Sequence, residues 1–301
     1  MKLVTFKNKK GQTRSGWLQG NGVVDMKKAH SKLPSNMLAF IDGHEKYFPI
    51  IKSLGEVATH YQLSEVTLLA PLPNPRSFRD YIGFEQHMLN ASKTFGDKIG
   101  QAWYEMPIFY FTNHQSIFGP NQDIPRPPLS RKLDYELEMA VVIGKKGSNI
   151  KAENANDHIF GYTVYNDWTA RDLQKVEMTV PLGPHKGKDF ANAIGPCIVT
   201  KDEMEQYRTD NDRFNIRMTS KINGQLICDG NYQTVYYTFP QMMQRASENG
   251  VNLMPGDILG SGTVGFGSLI ETNFAAHRPL EPGDTVELEI QGIGILKNTV
   301  V

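Results

Sequence analysis

The chain has 301 residues, with 32 Lys and Arg against 32 Asp and Glu, so its formal net charge is zero and long-range attraction to nucleic acid or an anionic membrane is not written into its composition. It is 40% hydrophobic and 21% charged, contains no apolar run near the about 18 residues of a membrane span, and at roughly 150 residues per domain suggests about two globular domains. Cys197 and Cys228 are too few for a disulfide framework or a cysteine zinc site and read as ordinary buried thiols.

The N-terminal stretch MKLVTFKNKKGQTR turns polar after Phe6 and lacks an apolar run followed by small residues, so no secretory leader is expected and the cytoplasm is the default location. Lys2 to Met26 predicts strands joined by turns, with KLVTF, SGWLQG and VVDM separated by KNKKGQTR and Asn21-Gly22. Residues 36 to 54 carry helical spacing through Met37, Phe40, Ile41, Phe48 and Ile51, and the proline-rich TLLAPLPNPRS reads as an extended connector. A small N-terminal β/α domain is placed at residues 1–72 and a larger domain at 73–301.

Beyond the connector the pattern stays mostly β: IFYFTN, ELEMAVVIG, HIFGYTVYN, NAIGPCIVT, FNIRMTSKING, DILGSG and VELEIQGIG are each bounded by Gly, Pro, Asn or Asp. Helices are expected only around Phe84 to Phe95, Trp168 to Met178 and Phe239 to Asn249, too irregularly placed for a βαβ series. The fold class is therefore mainly β (α+β), with mixed sheets and few short helices. The glycines from Gly260 to Gly267 have neither a Walker lysine nor dinucleotide-binding spacing, and read as turns.

The most informative stretch is LDYELEMAVVIG, residues 133–144. In a strand Asp134, Glu136 and Glu138 share one face, about 6 to 7 Å apart, and their repulsion at an effective dielectric of about 20 is on the order of 2 to 3 kcal/mol per ionised pair. A solvated strand edge would relieve it. A strand that runs on into Met-Ala-Val-Val-Ile is buried, however, and buried carboxylates must protonate, pair or bind a cation. Oxygen-only ligands suit Mg²⁺, Mn²⁺ or Ca²⁺ better than zinc. Further acids are Asp167, which reads equally as an N-cap for WTARDLQK, and Asp80, which reads equally as a turn acid.

Arg171 and Gln174 lie three apart, on one face of the expected helix, as solvated surface or as a functional pair. In PLGPHKGKDF the glycines and prolines fix Lys188 as a candidate anion holder, with an ordinary loop lysine as the alternative. His87, near Asp80 in sequence, and Glu271, after the glycine-rich turn, supply a candidate base and its orienting carboxylate.

These residues resemble the fumarylacetoacetate hydrolase family. The resemblance spans about Phe78 to Val301 and rests on five motifs in the family's order: LDYELEMAVVIG, GYTVYNDWTARDLQK, PLGPHKGKDF, NLMPGDILGSGT and GDTVELEIQGIGILKN. It implies a fumarylacetoacetate hydrolase-like β-roll, a homodimer and a divalent metal, Mg²⁺ foremost with Mn²⁺ or Ca²⁺ as alternatives. By the resemblance, Glu136, Glu138, Asp167 and Asp80 are the metal ligands. Arg171, Gln174 and Lys188 hold substrate and oxyanion, Tyr110 and Thr263 contact substrate, and His87 with Glu271 activates water.

The implied reaction is hydrolysis of a carbon–carbon bond in a small 2,4-dioxo acid. Decarboxylation of an oxaloacetate-type acid and isomerisation of a dienoic acid are the alternatives on the same site. The balanced charge and the absence of a basic stripe or an apolar span argue against a nucleic-acid or membrane partner. Two departures stand out. Where the two-domain hydrolase has a tyrosine after the Gln-Lys pair, this chain reads Glu177-Met178-Thr179-Val180. Three residues after His87, where short one-domain members have Glu, it has Asn90.

Overall fold

The computed structural model describes residues 1–96 and 98–301. A large mixed sheet runs through the molecule in the order Tyr61–Gln62, Gly22–Asp25, Thr13–Gln19, Lys2–Lys7, Asn192–Thr200, Ile159–Asp167, Leu137–Ile143, Ile258–Gly260, Phe78–Tyr81 and Phe109–Phe111. A five-stranded sheet, ordered Gln225–Asn231, Arg217–Ile222, Thr285–Ile290, Gly294–Val300 and Asp123–Ile124, packs beside it. The mixed α+β class with few helices agrees with the sequence expectation.

The central strands explain why the acid-bearing stretch reads as a nearly continuous apolar run. Leu137–Ile143 is buried along its whole length, and alternation sends its side chains into two cores. Leu137, Met139 and Val141 join Tyr162, Val164, Met218, Leu288 and Leu296 between the sheets. Ala140 and Val142 join Phe160, Ile198 and the N-terminal helical residues Phe40, Ile41 and Ile51 on the other side. Glu138 lies on the Ala140 side, so it is flanked by apolar packing rather than water.

The first strand ties the N-terminal segment to the rest, with Lys2 opposite Val199 and Leu3 opposite Ile198. The stretch expected to be helical over 36–54 is broken at Gly43 into Met37–Asp42 and His44–Leu54. Asn36 caps the first helix by accepting the Ala39 amide at 3.0 Å. The helix expected from Trp168 begins only at Arg171, because Thr169–Ala170 is drawn into pairing with Leu133–Asp134. Helices Glu85–Phe95 and Phe239–Ser247 lie where expected, whereas Gln101–Glu105 has no counterpart among the expected helices. No described helix is long and apolar enough to cross a membrane. Both cysteines are buried and unpaired, and burial pushes their thiols up to about 12.

Candidate active site

The acidic strand is not continuous. Leu133–Asp134 pairs with Thr169–Ala170, the chain leaves strand geometry at Tyr135 and Glu136, and regular pairing resumes at Leu137. The break gives the three acids different surroundings. Asp134 accepts the amides of Leu269 and Ile270 at 2.9 and 3.0 Å and Arg171 Nε at 2.8 Å, and so braces the site from behind. Glu136 and Glu138 go forward, to Asp80 and Asp167.

Sheet register decides that meeting. Glu138 pairs with Tyr165 two residues before the strand end at Asp167, and Ala140 pairs with Gly260, which in turn lies opposite Asp80 in a parallel pairing. Four buried carboxylates, Asp80, Glu136, Glu138 and Asp167, thereby place one oxygen each within 4.8 Å of one another. Asp167 does not cap the following helix, whose N-cap is Ala170.

Their electrostatics differ. Burial, and then the charge of Asp167, pushes the Asp80 carboxyl well above the usual carboxylate range. Burial, and then the charges of Asp80 and Glu136, does the same to Glu138. Asp167 is also raised, by burial against the pull of Lys188. For Glu136 burial acts upward too, but the Lys188 ammonium and the Arg171 guanidinium outweigh it and hold the carboxyl well below its ordinary value.

Arg171 and Lys188 are the buried cations of the site. Arg171 Nη2 donates to Glu136 Oε1 at 2.7 Å and Nη1 to Gln174 Oε1 at 3.1 Å. Lys188 Nζ donates to Glu136 Oε2 at 2.5 Å and also to Asp167 Oδ2. Burial disfavours its charge, yet Asp167 and Glu136 more than restore it, so Lys188 stays cationic. The loop that carries it is pinned by Glu177, whose carboxylate accepts the amides of His185, Lys186 and Gly187 at 2.7, 2.8 and 3.1 Å.

Tyr110, opposite Asp80 across the sheet, donates its hydroxyl to Asp167 Oδ2 at 2.7 Å. Thr263 Oγ1 stands 3.5 Å from Glu138 Oε1, and the Gly262 amide donates to Glu138 Oε2 at 2.8 Å. A cleft of about 240 Å³ lined by Tyr110, Asn113, His185 and Lys188 leads to this cluster.

On the other side of Glu136 stands His87. Its Nε2 is 3.9 Å from Glu136 Oε1, and its Nδ1 is 3.0 Å from Glu271 Oε1, though off the line of a hydrogen bond. Glu271 itself is firmly held: Phe266 N and Asn90 Nδ2 donate to Oε2 at 2.6 and 3.0 Å, and Ser268 N and Oγ donate to Oε1 at 3.2 and 3.1 Å.

The donor set fits a hard divalent cation. All four groups are carboxylates, and Asp80 Oδ1 and Asp167 Oδ1 are buried with no hydrogen-bond partner. With Asp134, five buried carboxyl groups face two buried cations, Lys188 and Arg171, so the acids outnumber the cations, and a dication would let those held protonated by burial ionise.

The sequence profile described as fumarylacetoacetate (FAA) hydrolase C-terminal matches residues 76–301, three quarters of the chain. This chain belongs to the fumarylacetoacetate hydrolase family. Relatives of the family lie on both sides of its chemistry. Fumarylacetoacetase of Arabidopsis thaliana is 32% identical over 275 residues, covering 75% of this chain and 65% of that enzyme, so the chain spans just under two thirds of its length. Oxaloacetate tautomerase YisK of Bacillus subtilis (strain 168) is 30% identical over 296 residues, covering 92% of both chains. Among solved structures, that of a putative HpcE protein from Mycobacterium smegmatis superposes with a TM-score of 0.83 at 24% identity, covering 100% of this chain and 99% of that one, which is a likeness of fold.

Every residue that the family resemblance singled out lies at this one locus, directly or through one neighbour. Asp80, Glu136, Glu138 and Asp167 form its centre, and Lys188, Arg171, Tyr110, Thr263 and His87 touch one of them. Gln174 reaches it through Arg171, and Glu271 through His87. Sequence reasoning assigns no role to Glu177, Gly260 or Asn90, and does not foresee Asp134 as a brace. The three amides on Glu177 come from positions that carry no side-chain signal at all.

Proposed function

We propose that this family member is a divalent-metal-dependent hydrolase that cleaves a carbon–carbon bond in a small 2,4-dioxo acid of the fumarylacetoacetate or acylpyruvate type. The observation that carries it is a carboxylate-backed imidazole whose Nε2 faces the acidic cluster, 3.9 Å from Glu136. Simple decarboxylation needs no such base, whereas hydrolysis does.

Asp80, Glu136, Glu138 and Asp167 would hold the cation, Mg²⁺ foremost with Mn²⁺ or Ca²⁺ as alternatives, which when bound supplies positive charge for a chelated 2-oxo acid and its enolate. His87 takes a proton from water at Nε2 while Glu271 holds the ring through Nδ1. The hydroxide adds to the C4 carbonyl carbon, and Lys188 and Gln174 stabilise the oxyanion that develops there. In an acylpyruvate the C3–C4 bond then breaks, its electron pair passing to C3 as an enolate, which takes the proton back from His87 to give a 2-oxo acid beside the released carboxylic acid. In fumarylacetoacetate the bond next to the attacked carbonyl breaks in the same way and the enolate becomes a 3-oxo acid. Arg171, tied to Asp134 and Glu136, keeps Glu136 ionised and leaves N–H groups for the polar end of the substrate.

A second reading is proton transfer on an oxaloacetate-type acid. The nearly full-length similarity to an oxaloacetate tautomerase favours it, since the same base could move a proton between carbon and oxygen. Acylpyruvates, fumarylacetoacetate and oxaloacetate assayed with Mg²⁺ or Mn²⁺, with and without chelator, separate the two. Acylpyruvate cleavage lost on chelation and in His87→Ala supports hydrolysis. Tautomerisation of oxaloacetate without any cleavage overturns it in favour of the second reading, and activity indifferent to chelator removes both.

We also propose that the chain works as a homodimer. Exposed Val176, Met178, Val180 and Leu182 beside the Lys188 loop support a second copy there. A monomer by sedimentation at micromolar concentration would exclude it.

A further inference from the structure

We propose that Asn90 is a positioning residue for the base: acting through Glu271, it fixes the imidazole of His87 with Nδ1 toward the carboxylate and Nε2 toward the acidic cluster. The inference rests on the assignment of His87 and Glu271 as the proton-handling pair and extends it to a residue outside that pair.

Helix Glu85–Phe95 carries both His87 and Asn90, three residues apart and so on one side. The two side chains approach opposite oxygens of one carboxylate. His87 Nδ1 lies 3.0 Å from Glu271 Oε1, and Asn90 Nδ2 donates to Glu271 Oε2 at 3.0 Å. One helix thus binds Oε2 of the carboxylate through Asn90 and sets the His87 imidazole 3.0 Å from Oε1. Thr94 Oγ1, donating to the Ile270 carbonyl at 3.0 Å, holds the same helix against the segment that bears Glu271.

The orientation of the Asn90 amide is itself determined. Gln86 Nε2 donates to Asn90 Oδ1 at 2.8 Å, so the NH₂ group is the one turned to Glu271. Asn90 and Glu271 are both 7% exposed, and water does not readily replace the bond. With Phe266 N and Ser268 N and Oγ, Asn90 completes four donors around Glu271. A carboxylate so surrounded acts purely as an acceptor toward the histidine, which places the ring proton on Nδ1 and the lone pair on Nε2. A carboxylate at position 90 would instead stand against Glu271 at hydrogen-bond distance with like charge.

The test uses Asn90→Leu, similar in shape without donors, and Asn90→Ser, polar but too short to reach Glu271. Mn²⁺ titration and thermal unfolding of each check that the metal cluster and fold are retained. With the dioxo acid that wild type turns over, kcat is expected to fall about 10- to 100-fold with KM nearly unchanged, as for loss of a hydrogen bond to a charged group. In a Glu271→Gln background the same substitution should add less than about a twofold loss, because residues that act as a unit are not additive.

Nitrogen-15 spectra, with the His87 signals assigned by their loss in His87→Gln, should show the Nδ1–H tautomer in wild type and a mixture in Asn90→Leu. An additive loss, a loss confined to KM or an unchanged tautomer overturns the proposal. If wild type turns over none of the acids, the proposed function fails, and the tautomer alone decides the role of Asn90.

Discussion

Gly260 lies directly opposite Asp80 in the parallel pairing of Ile258–Gly260 with Phe78–Tyr81, and the space where its side chain would be is taken by the acid. A Cβ there would overlap Asp80 Oδ1 and come within 2.9 Å of the Tyr165 ring and 3.0 Å of Glu138 Oε2. Gly260→Ala should therefore displace Asp80 while leaving the sheet paired. The expected outcome is a loss of Mn²⁺ affinity on the order of 10- to 100-fold, the range for changes that misplace metal ligands, with turnover falling in parallel. Calorimetric titration checks it, and unchanged affinity would mean that Asp80 is not a ligand.

Asp80 and Glu138 have folded pKa values raised above their ordinary 3.8 and 4.5. Below those ordinary values both the folded and unfolded chains are protonated and the pair contributes nothing. As the pH rises above them the unfolded chain ionises while the folded one still holds protons, so metal-free stability falls with rising pH. Glu136, with its pKa lowered, acts oppositely: its stabilisation is present above the ordinary carboxylate value and is lost as the pH falls through its folded value. Unfolding temperatures in chelator should decline by several degrees as the pH is raised above about 5, and Mg²⁺ should remove most of that decline. A decline of equal size with Mg²⁺ present would contradict this.

Removing one of the raised carboxylates should separate stability from function. Glu138→Gln keeps an oxygen for the Gly262 amide and relieves repulsion with Asp80 and Glu136. In chelator near neutral pH it should unfold at the same temperature as wild type or higher, although metal binding and turnover are lost together. Retained activity would exclude Glu138 from the metal site.

Glu177 is the anchor of the loop that presents Lys188. Backbone donors from His185, Gly187 and Lys186 hold its carboxyl below the usual range, against a burial effect that acts upward. Glu177→Ala leaves three amides without their acceptor, and should lower kcat about 10-fold while Mn²⁺ affinity changes little. Faster proteolytic nicking between about residues 178 and 187 would accompany it. Steady-state kinetics with limited proteolysis checks both.

Much of the site is legible in the sequence. The alternation in LDYELEMAVVIG puts acids in a buried strand, the ordered motifs bring in Asp167 and Lys188, and the family resemblance adds Asp80 and the His87–Glu271 pair. The strand break at Tyr135 and Glu136 is not legible there, because pairing of Leu133–Asp134 with Thr169–Ala170 causes it. The split at Gly43 is hidden for a different reason: the apolar spacing of Phe40, Ile41, Phe48 and Ile51 continues across it, since both helices face one core.

Spacing and alternation along the chain pointed by themselves to most of the longer strands, though not to Gln225–Asn231, and to carboxylates forced out of water. Which carboxylate is neutralised, and which keeps an oxygen with no partner, was decided only by the tertiary structure. Asp134 takes its donors from Leu269 and Ile270, Glu136 takes Lys188, and Asp80 is left with a buried unpartnered oxygen. Each choice depends on distances across segments far apart in sequence, and a buried charge is stabilised or penalised within a few ångströms.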